Sequence, residues 1–360
     1  ATTEIYTLSL HDALPIFSKS EPLKHFSRYE NHENHSQKKV TSFTLEKENT
    51  EKTIERNIKY HIFREMAFME DKYGTDIFEW IKENEDKFIK PENFLGRHQL
   101  RPETRAKMVD WMVEVFYLLD SEPTSFELAV HLMDYYISNT PKILSDDDIH
   151  LIGLASIYLS SKLIDDKPLT LSQVSNDIGK GNFSNDDIIN KELEISLIIN
   201  YDFFTVGIYD YIMNLFCDLI IVHYKKINEL KGKNLVNKYM DFCVILSKLI
   251  LYNEKLLSYK TSVISLGIIS FGFDMLNLKE RKKKNKDIRH FLGNWINYII
   301  REVDAFSEDM NNVYNEILQL YKINIYKPCE KNKILKIRKK DKGYCELINL
   351  VKYYPEKLLI

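Results

Sequence analysis

The residues with reactive side chains form no catalytic motif in this sequence. It contains no glycine-rich loop to cradle phosphate, no HExxH pair, no nucleophile elbow and no set of kinase signature motifs. Four cysteines lie far apart and include no CxxC pair that could hold zinc or exchange disulfides: Cys217, Cys243, Cys329 and Cys345. We therefore expect no enzyme activity, no metal and no cofactor, and the cysteines favour a reducing compartment.

Charged residues on apolar helices are a stronger signal, because a charge among apolar neighbours needs a partner. Arg105 and Asp134 lie amid apolar residues on two successive predicted helices. Lys162 ends a helix without a polar face, where the helix dipole favours a cation. Glu194 lies on an amphipathic helix, where a solvated acid is ordinary. For Lys162 and Glu194 the residues alone leave both a structural and a binding role open.

The composition predicts that helices carry these residues. The chain has 360 residues, 44% of them hydrophobic, and its 11 Gly and 9 Pro are too few for an all-β design with frequent tight turns. The net charge of −3 gives no general reason to bind nucleic acid or an anionic membrane. The longest apolar stretch, Val263 to Leu278, is shorter than the about 20 residues that a membrane-spanning helix needs.

The hydrophobic pattern divides the body of the chain into two series of helices. After an amphipathic leading helix, five helices are predicted over residues 103–200, with capping boxes at Thr124-x-x-Glu127 and Ser184-x-x-Asp187. The third of them, Ile149 to Ser161, is apolar or small on every side, so other helices must surround it. A looser series of five follows from Ile208 to Tyr321, and its middle helix is again the most apolar. We therefore predict two tandem five-helix units.

The ends of the chain have a different composition. Residues 1–16 include YTLSLHDALPI, which looks like a translated sequencing adapter and is excluded from the fold. Residues 17–56 are polar and are predicted to be a flexible tail, and residues 57–102 hold the leading helix and an extended connection. Residues 323–360 are predicted to be a basic tail. A further basic run, Glu280 to Lys286, is interpreted as a solvated loop.

Several segments of the first unit have a recognisable pattern. The stretch RAKMVDWMVEV runs from Arg105 to Val115, ELAV and DYYIS follow on the next helix, and LIG and SSK lie on the third. Upstream, DIFEWIKE and PENFL form the approach to the first helix. Together these segments, over roughly Tyr73 to Phe204, resemble the cyclin box, and the approach is similar to that of mitotic A- and B-type cyclins. The second unit resembles the family mainly through Leu257 to Ile264.

This resemblance implies a fold and a function. The fold is all-α, with two tandem five-helix cyclin folds, an N-terminal box at residues 103–206 and a C-terminal fold at residues 207–322. The function is that of a regulatory subunit that binds and activates a cyclin-dependent protein kinase in cell-cycle, mitotic, control, without being an enzyme itself. The resemblance also implies a location in nucleus and cytoplasm, with no nucleic acid or membrane as partner.

The resemblance further implies roles for individual residues. Lys162 and Glu194, together with Asp165, would bind the kinase near its mobile C-helix, and Arg105 and Asp134 would form an internal ion pair. The family's docking patch for Arg-x-Leu substrates maps to six residues: Met108, Trp111, Glu114, Ile149, His150 and Lys107. Lys107 places a cation where the family has an aliphatic side chain, so it would repel the arginine of such a segment. Met108 fits a plain core position equally well.

One more motif and three other functions stay open. Lys47, Glu48 and Asn49 spell KEN, which resembles a destruction signal read by a ubiquitin ligase in cell-cycle proteins. The other functions are a transcription-associated cyclin, a transcription factor of tandem cyclin folds, and a helical scaffold that does not activate a kinase. The net charge and the absence of a zinc ribbon argue against the transcription factor. The unusual Lys107 and Leu163-Ile164 keep the scaffold open.

Overall fold

The computed structural model describes residues 76, 79–119, 121–279, 286–303 and 307–321. In these ranges all regular elements are helical, and the one β pairing is an isolated bridge between Gln99 and Ser145. None of the helices described has both the length and the apolar character to span a membrane. The KEN tripeptide, the two predicted tails and most of the Glu280 to Lys286 run lie outside the described residues.

The first unit has the predicted order of helices. Helix α1 has described helical residues at 79–84 and leads into a 3₁₀ turn at Glu85–Phe88. The elements that follow are α2 (Pro102–Leu118), α3 (Pro123–Asn139), α4 (Asp148–Ile164), a π-helical turn (Gln173–Ile178) and α5 (Asn185–Ile198). The capping box predicted at Ser184 is present, because Asp187 N–H donates to Ser184 Oγ and Ser184 N–H donates to the Asp187 carboxylate.

Helix α4 lies at the centre of this unit, as its lack of a polar face predicted. It packs against α2, α3 and α5, and residues 152–161 are all buried. Gly153 permits the close approach of α2, because a Cβ atom at this position would overlap the end of the Met108 side chain. The hydroxyls of Ser156 and Ser160 donate to carbonyls within α4, so these polar groups are satisfied in the core.

The second unit is also built around its middle helix. Its elements are α6 (Ile208–Val222), α7 (Tyr224–Glu229), α8 (Lys233–Ile250), a 3₁₀ turn (Glu254–Ser258), α9 (Thr261–Lys279), α10 (Lys286–Val303) and α11 (Ser307–Tyr321). Helix α9 packs against α6, α8, α10 and α11, and its apolar residues are buried on opposite faces. The sequence pattern predicted the five long helices but not the short α7. The all-α tandem fold is therefore confirmed.

A buried carboxylate joins the two units. Glu127 of α3 accepts hydrogen bonds from the backbone N–H groups of Ile208 at 2.5 Å and Tyr209 at 2.9 Å, and so caps the N-terminus of α6. Gly207 leaves room for this carboxylate, because a Cβ atom there would overlap it. Burial, together with the nearby Asp210, raises the pKa of Glu127 to about 8. The predicted capping box at Thr124-x-x-Glu127 is wrong, because the Glu127 side chain caps α6 and not α3, the helix that contains it.

A buried ion pair makes a second connection between the units. Arg105 donates to both oxygens of Asp134, with Nε–Oδ1 at 2.7 Å and Nη2–Oδ2 at 2.6 Å, and both side chains are buried. Its remaining Nη1 donates to the Leu251 carbonyl at the end of α8, at 2.9 Å. Close by in the chain, Tyr252 donates to Asp110 of α2 at 2.8 Å. Arg105 therefore ties α2 and α3 of the first unit to α8 of the second.

A third buried charge lies in the connection before α2. Lys90 is 2% exposed; its Nζ donates to the Phe88 carbonyl at 2.8 Å and lies 3.1 Å from His131 Nδ1. The amine also faces the rings of Phe88 and Tyr135. Burial lowers the pKa of Lys90 to about 7, and it lowers the pKa of His131 well below its ordinary value. The folded protein thus favours a neutral Lys90 amine.

We predict that Lys90 makes stability depend on pH. Between about pH 7 and the ordinary lysine pKa of 10.5, the unfolded chain binds a proton that the folded chain does not, so stability rises with pH in this window. The slope from this group approaches about 1.4 kcal/mol per pH unit. The free energy of unfolding is measured by urea unfolding between pH 7.5 and 9. Lys90→Met should remove the contribution of Lys90 to its slope against pH, whereas Lys255→Met, at an exposed position, should keep that contribution. An unchanged slope in Lys90→Met would contradict the assignment.

Candidate functional site

Two oppositely charged side chains meet where α4 ends. Lys162 in the last turn of α4 forms an ion pair with Glu192 of α5, and each side chain is 15% exposed. The Lys162 ammonium also lies 4.1 Å from the centroid of the Tyr158 ring. Burial, followed by the charge of Glu192, raises the pKa of Tyr158. The pair is therefore held in a fixed position at the surface, with most of its area already shielded from water.

Glu194 does not contact Lys162. Its carboxylate accepts from Lys142 at 2.7 Å, from Lys191 at 2.6 Å and from the hydroxyl of Tyr136 at 2.9 Å. Partial burial acts to raise the pKa of Glu194, but these three hydrogen bonds outweigh it and hold the pKa at about 2. Glu194 thus connects α5 to α3 and to the loop after α3. The structure places Glu192, and not Glu194, beside Lys162.

The physical reason is the rotation of the helix. Residues two positions apart on an α-helix point about 200° apart around its axis, so Glu192 and Glu194 face different neighbours. The sequence prediction selected Glu194 because it lies nine residues before Phe203. Glu192 lies nine residues before Tyr201, so the same spacing fits both glutamates. The nine-residue spacing alone therefore could not choose between the two glutamates.

Asp165, the third residue predicted for a kinase contact, is turned toward its own chain. It follows α4 as the C-cap residue and accepts from Ser125 Oγ at 2.6 Å and Ser121 Oγ at 3.2 Å. These bonds fix the end of α4 against the start of α3. Asp165 therefore positions the residues around Lys162 and is itself half-buried.

An exposed apolar surface lies along α5. Ile189, Leu193 and Leu197 recur at intervals of four residues and are 37%, 49% and 58% exposed. Leu163 and Ile164, at the end of α4, are exposed as well. We call these five residues the α4–α5 apolar surface. The sequence analysis did not predict this surface. A signal for it was present, because α5 carries apolar residues on two faces and a surface helix buries only one apolar face in the core.

The connection after α5 is also apolar at the surface. Phe204 and Trp80 of α1 are both exposed and meet edge to face, with ring centroids 5.9 Å apart. Tyr201 is exposed and contacts Phe203 in the same manner. Contiguous exposed apolar residues of this kind are typical of a protein–protein interface. This segment therefore belongs to the candidate site.

The predicted substrate-docking residues separate into two groups. Met108 and Ile149 are buried in the core. Trp111 and His150 are half-buried, with their rings 5.1 Å apart, and His150 in turn contacts Phe183 at 5.2 Å. Lys107 is exposed and Glu114 half-buried on the same helix as Trp111. Burial lowers the pKa of His150. The surface available to a partner is thus an aromatic row, Trp111, His150 and Phe183, beside Lys107.

No group of three or more His, Cys, Asp or Glu side chains that could hold a metal ion occurs in the part of the chain that the structure describes. Cys217 and Cys243 are buried, and burial raises the pKa of the Cys243 thiol well above its ordinary value.

Comparison with known proteins identifies the class to which this fold and site belong. Residues 76–203 match the model of the cyclin N-terminal domain, which covers the approach segment and the whole first unit. The described part of the molecule is thus all-helical and contains a cyclin box. Residues 76–203 belong to the cyclin N-terminal domain family, and the predicted resemblance is confirmed over these residues, with relatives of the B type among the matches.

The matches to individual proteins are partial. The G2/mitotic-specific cyclin-B3 of Gallus gallus is 28% identical over 131 residues, which cover 36% of this chain and 32% of that protein. The G2/mitotic-specific cyclin cig1 of Schizosaccharomyces pombe is 27% identical over 131 residues, 36% of this chain and 31% of that protein. The chain spans a third or less of the length of the curated relatives it matches. Among solved structures, a viral cyclin from herpesvirus saimiri is 16% identical with a TM-score of 0.48, covering 64% of this chain and 89% of that one.

Proposed function

We propose that this protein is the regulatory subunit of a cyclin-dependent kinase and binds the kinase through the α4–α5 apolar surface and the Lys162–Glu192 pair. The observation that carries the proposal is the position of a shielded ion pair directly beside exposed apolar residues at the end of the central helix of a cyclin box. The cyclin N-terminal domain at residues 76–203 supports it, because cyclins regulate kinases and are not enzymes themselves. The names of the B-type relatives support a role in mitosis.

The arrangement of this surface suits a buried contact. Apolar residues such as Leu193 and Leu197 would supply the desolvated centre, which carries most of the binding free energy in protein interfaces. Lys162 and Glu192 are already paired, so neither charge enters the interface alone. An ammonium has three N–H donors and a carboxylate two oxygens, so both groups retain hydrogen-bonding capacity for a partner.

The proposed mechanism is a population shift in the kinase. An active kinase needs its C-helix glutamate to meet the β3 lysine, and a surface that binds only this arrangement stabilises it. Raising the active population from 1% to 99% requires a preference of about 5.5 kcal/mol. The contacts of Arg105 and Glu127 across the two units make the platform rigid before binding, so little conformational entropy is lost on association.

The proposal is tested by reconstitution with individual cyclin-dependent kinases. The purified chain should co-elute with at least one mitotic kinase and stimulate its phosphorylation of a histone-derived peptide. Co-elution with a transcriptional kinase alone would favour the transcription-associated cyclin. A chain that stays monomeric with every kinase and stimulates none would overturn the proposal and leave the scaffold interpretation.

A second proposal concerns substrates. The aromatic row Trp111, His150 and Phe183 supports apolar docking of a substrate segment, and the exposed Lys107 supports segments without an arginine beside the apolar anchor.

Two proposals rest on the resemblance alone: destruction through Lys47, Glu48 and Asn49 by a ubiquitin ligase, and a location in nucleus and cytoplasm. The tripeptide lies outside the described residues.

A further inference from the structure

An aromatic ring lies against the Lys162–Glu192 pair. Tyr158 precedes Lys162 by about one turn of α4, and the Lys162 ammonium lies 4.1 Å from the centroid of its ring. Side chains on a helix lean toward its N-terminus, so a lysine four residues after a tyrosine passes over the ring. For comparison, the Lys191 ammonium lies 4.9 Å from the centroid of the Tyr136 ring. Lys162 therefore makes the closer of these two cation–π contacts.

The Tyr158 ring is fixed by its surroundings. Tyr158 is 2% exposed and is part of the hydrophobic core. Helix α4 packs against α2, α3 and α5, so another rotamer of this ring would have to displace core side chains. The Lys162 ammonium is thus held between a ring that cannot turn away and the carboxylate of Glu192.

We propose that Tyr158 is a positioning residue for kinase binding, because its ring holds the Lys162 ammonium in the place where the kinase meets it. This inference rests on the proposed function. It assigns a part in binding to a side chain that is itself buried and does not reach the kinase. The ring acts through Lys162 alone.

The ring would favour the bound state more than the free state. A contact of equal strength in both states would leave the affinity unchanged, since only a difference between the states counts. The attraction between an ammonium and a ring grows when water is excluded, because the charge is no longer screened. A kinase that covers Lys162 removes this water. The ring therefore offsets part of the cost of desolvating the cation.

The ring also reduces the entropy that binding costs. A lysine side chain has many rotamers, and fixing them at an interface is unfavourable. Tyr158 and Glu192 already restrict Lys162 in the free chain, where 15% of the lysine side chain is exposed. Donors of the kinase could compete for the oxygens of Glu192, but the buried ring face is inaccessible to them. The ring is thus the partner that Lys162 keeps throughout binding.

The test alters the electrons of the ring and not its shape. The affinity of the full chain is measured by titrating the activity of the kinase that it stimulates best in the reconstitution described above. Phenylalanine and its mono-, di- and trifluorinated forms are incorporated at position 158. Fluorine withdraws electron density from the ring face, so the affinity should fall stepwise, to about tenfold below that of Tyr158→Phe. Tyr158→Phe keeps the ring and should stay within about twofold of the unmodified chain.

Two controls separate this role from packing. In a Lys162→Met background, titrated at higher concentrations of the chain, the fluorinated series should give equal affinities, because no cation faces the ring. Tyr158→Leu should bind about tenfold more weakly than the unmodified chain. Phe271→Leu removes a fully buried ring from α9 of the second unit, so it should lower stability without changing the affinity for the kinase.

A spectroscopic measurement tests the contact without a kinase. Lysines are dimethylated with carbon-13 formaldehyde, which keeps their charge. The methyl signal of Lys162, identified by its loss in Lys162→Met, should be shifted upfield by the ring current of Tyr158. In Tyr158→Leu the signal should return to the position typical of a solvated lysine.

Equal affinities along the fluorinated series, or a Lys162 signal at its ordinary position in the unmodified chain, would overturn this inference and leave the proposed function in place. Equal losses of affinity in Tyr158→Leu and Phe271→Leu would overturn it as well, since both would then reflect general destabilisation. An unmodified chain that binds no kinase would instead overturn the proposed function, and this inference with it. The behaviour of the unmodified chain therefore distinguishes the two failures.

Discussion

Replacing Arg105 with alanine should lower the free energy of unfolding by about 3–5 kcal/mol, a large part of the stability of a typical domain. The change leaves the Asp134 carboxylate buried without its partner, and it removes the donor to the Leu251 carbonyl. A buried unpaired charge is costly because the interior cannot solvate it. Urea unfolding followed by circular dichroism measures the effect.

The chain offers a matched control for this prediction. Arg101 pairs with Asp146 at 2.6 Å, the same distance as between Arg105 Nη2 and Asp134, but the Arg101 side chain is 72% exposed. Arg101→Ala should therefore cost about 0–1 kcal/mol. Similar losses in the two variants would contradict the assigned role of burial. The double variant Arg105→Met/Asp134→Leu should recover part of the loss, since no lone charge remains in the core.

The helices could be predicted from the sequence because their signals are local. Residues 152–161 of α4 lack a polar side, and that pattern alone predicts a helix surrounded by others. The Ser184 and Asp187 pair predicts a helix start from four consecutive residues. The central position of α9 follows in the same way from its apolar composition. Such signals need no knowledge of the distant chain.

The site could be predicted only in part, because its contacts join residues far apart in the chain. Glu127 fits a local capping box in the sequence, yet its carboxylate caps a helix 81 residues away. Glu192 and Glu194 both match the nine-residue spacing to an aromatic residue, and only the rotation of α5 against α4 decides between them. The α4–α5 apolar surface was not predicted, since a sequence shows which residues are hydrophobic but not which face of a helix stays uncovered. Lys162 was placed correctly at the end of α4, because the helix end is a local feature.

Glu192→Ala should weaken kinase binding by about 2–5 kcal/mol, roughly 30- to 5,000-fold in the dissociation constant. The change leaves the Lys162 ammonium unpaired at a surface that the kinase would cover, so its desolvation is no longer offset. Titration of kinase activity against the chain measures the affinity. Glu194→Ala is the matched control on the same helix, because Glu194 bonds to Tyr136, Lys142 and Lys191 and should alter stability more than binding. A harmless Glu192→Ala with a damaging Glu194→Ala would contradict this proposal and support Glu194 as the kinase contact, as the sequence analysis predicts.

The apolar part of the same surface gives an independent arm of this test. Leu193→Asp places a charge where the kinase would exclude water, so it should reduce binding at least as much as Glu192→Ala. Its side chain is already half exposed in the free protein, so unfolding should change little. Ile143→Asp provides the control, because Ile143 is exposed in the loop before α4, at the opposite end of that helix from Lys162. If Ile143→Asp weakened kinase activation as strongly as Leu193→Asp, the contact would have to lie at the start of α4, and the Lys162–Glu192 pair would be a structural feature alone.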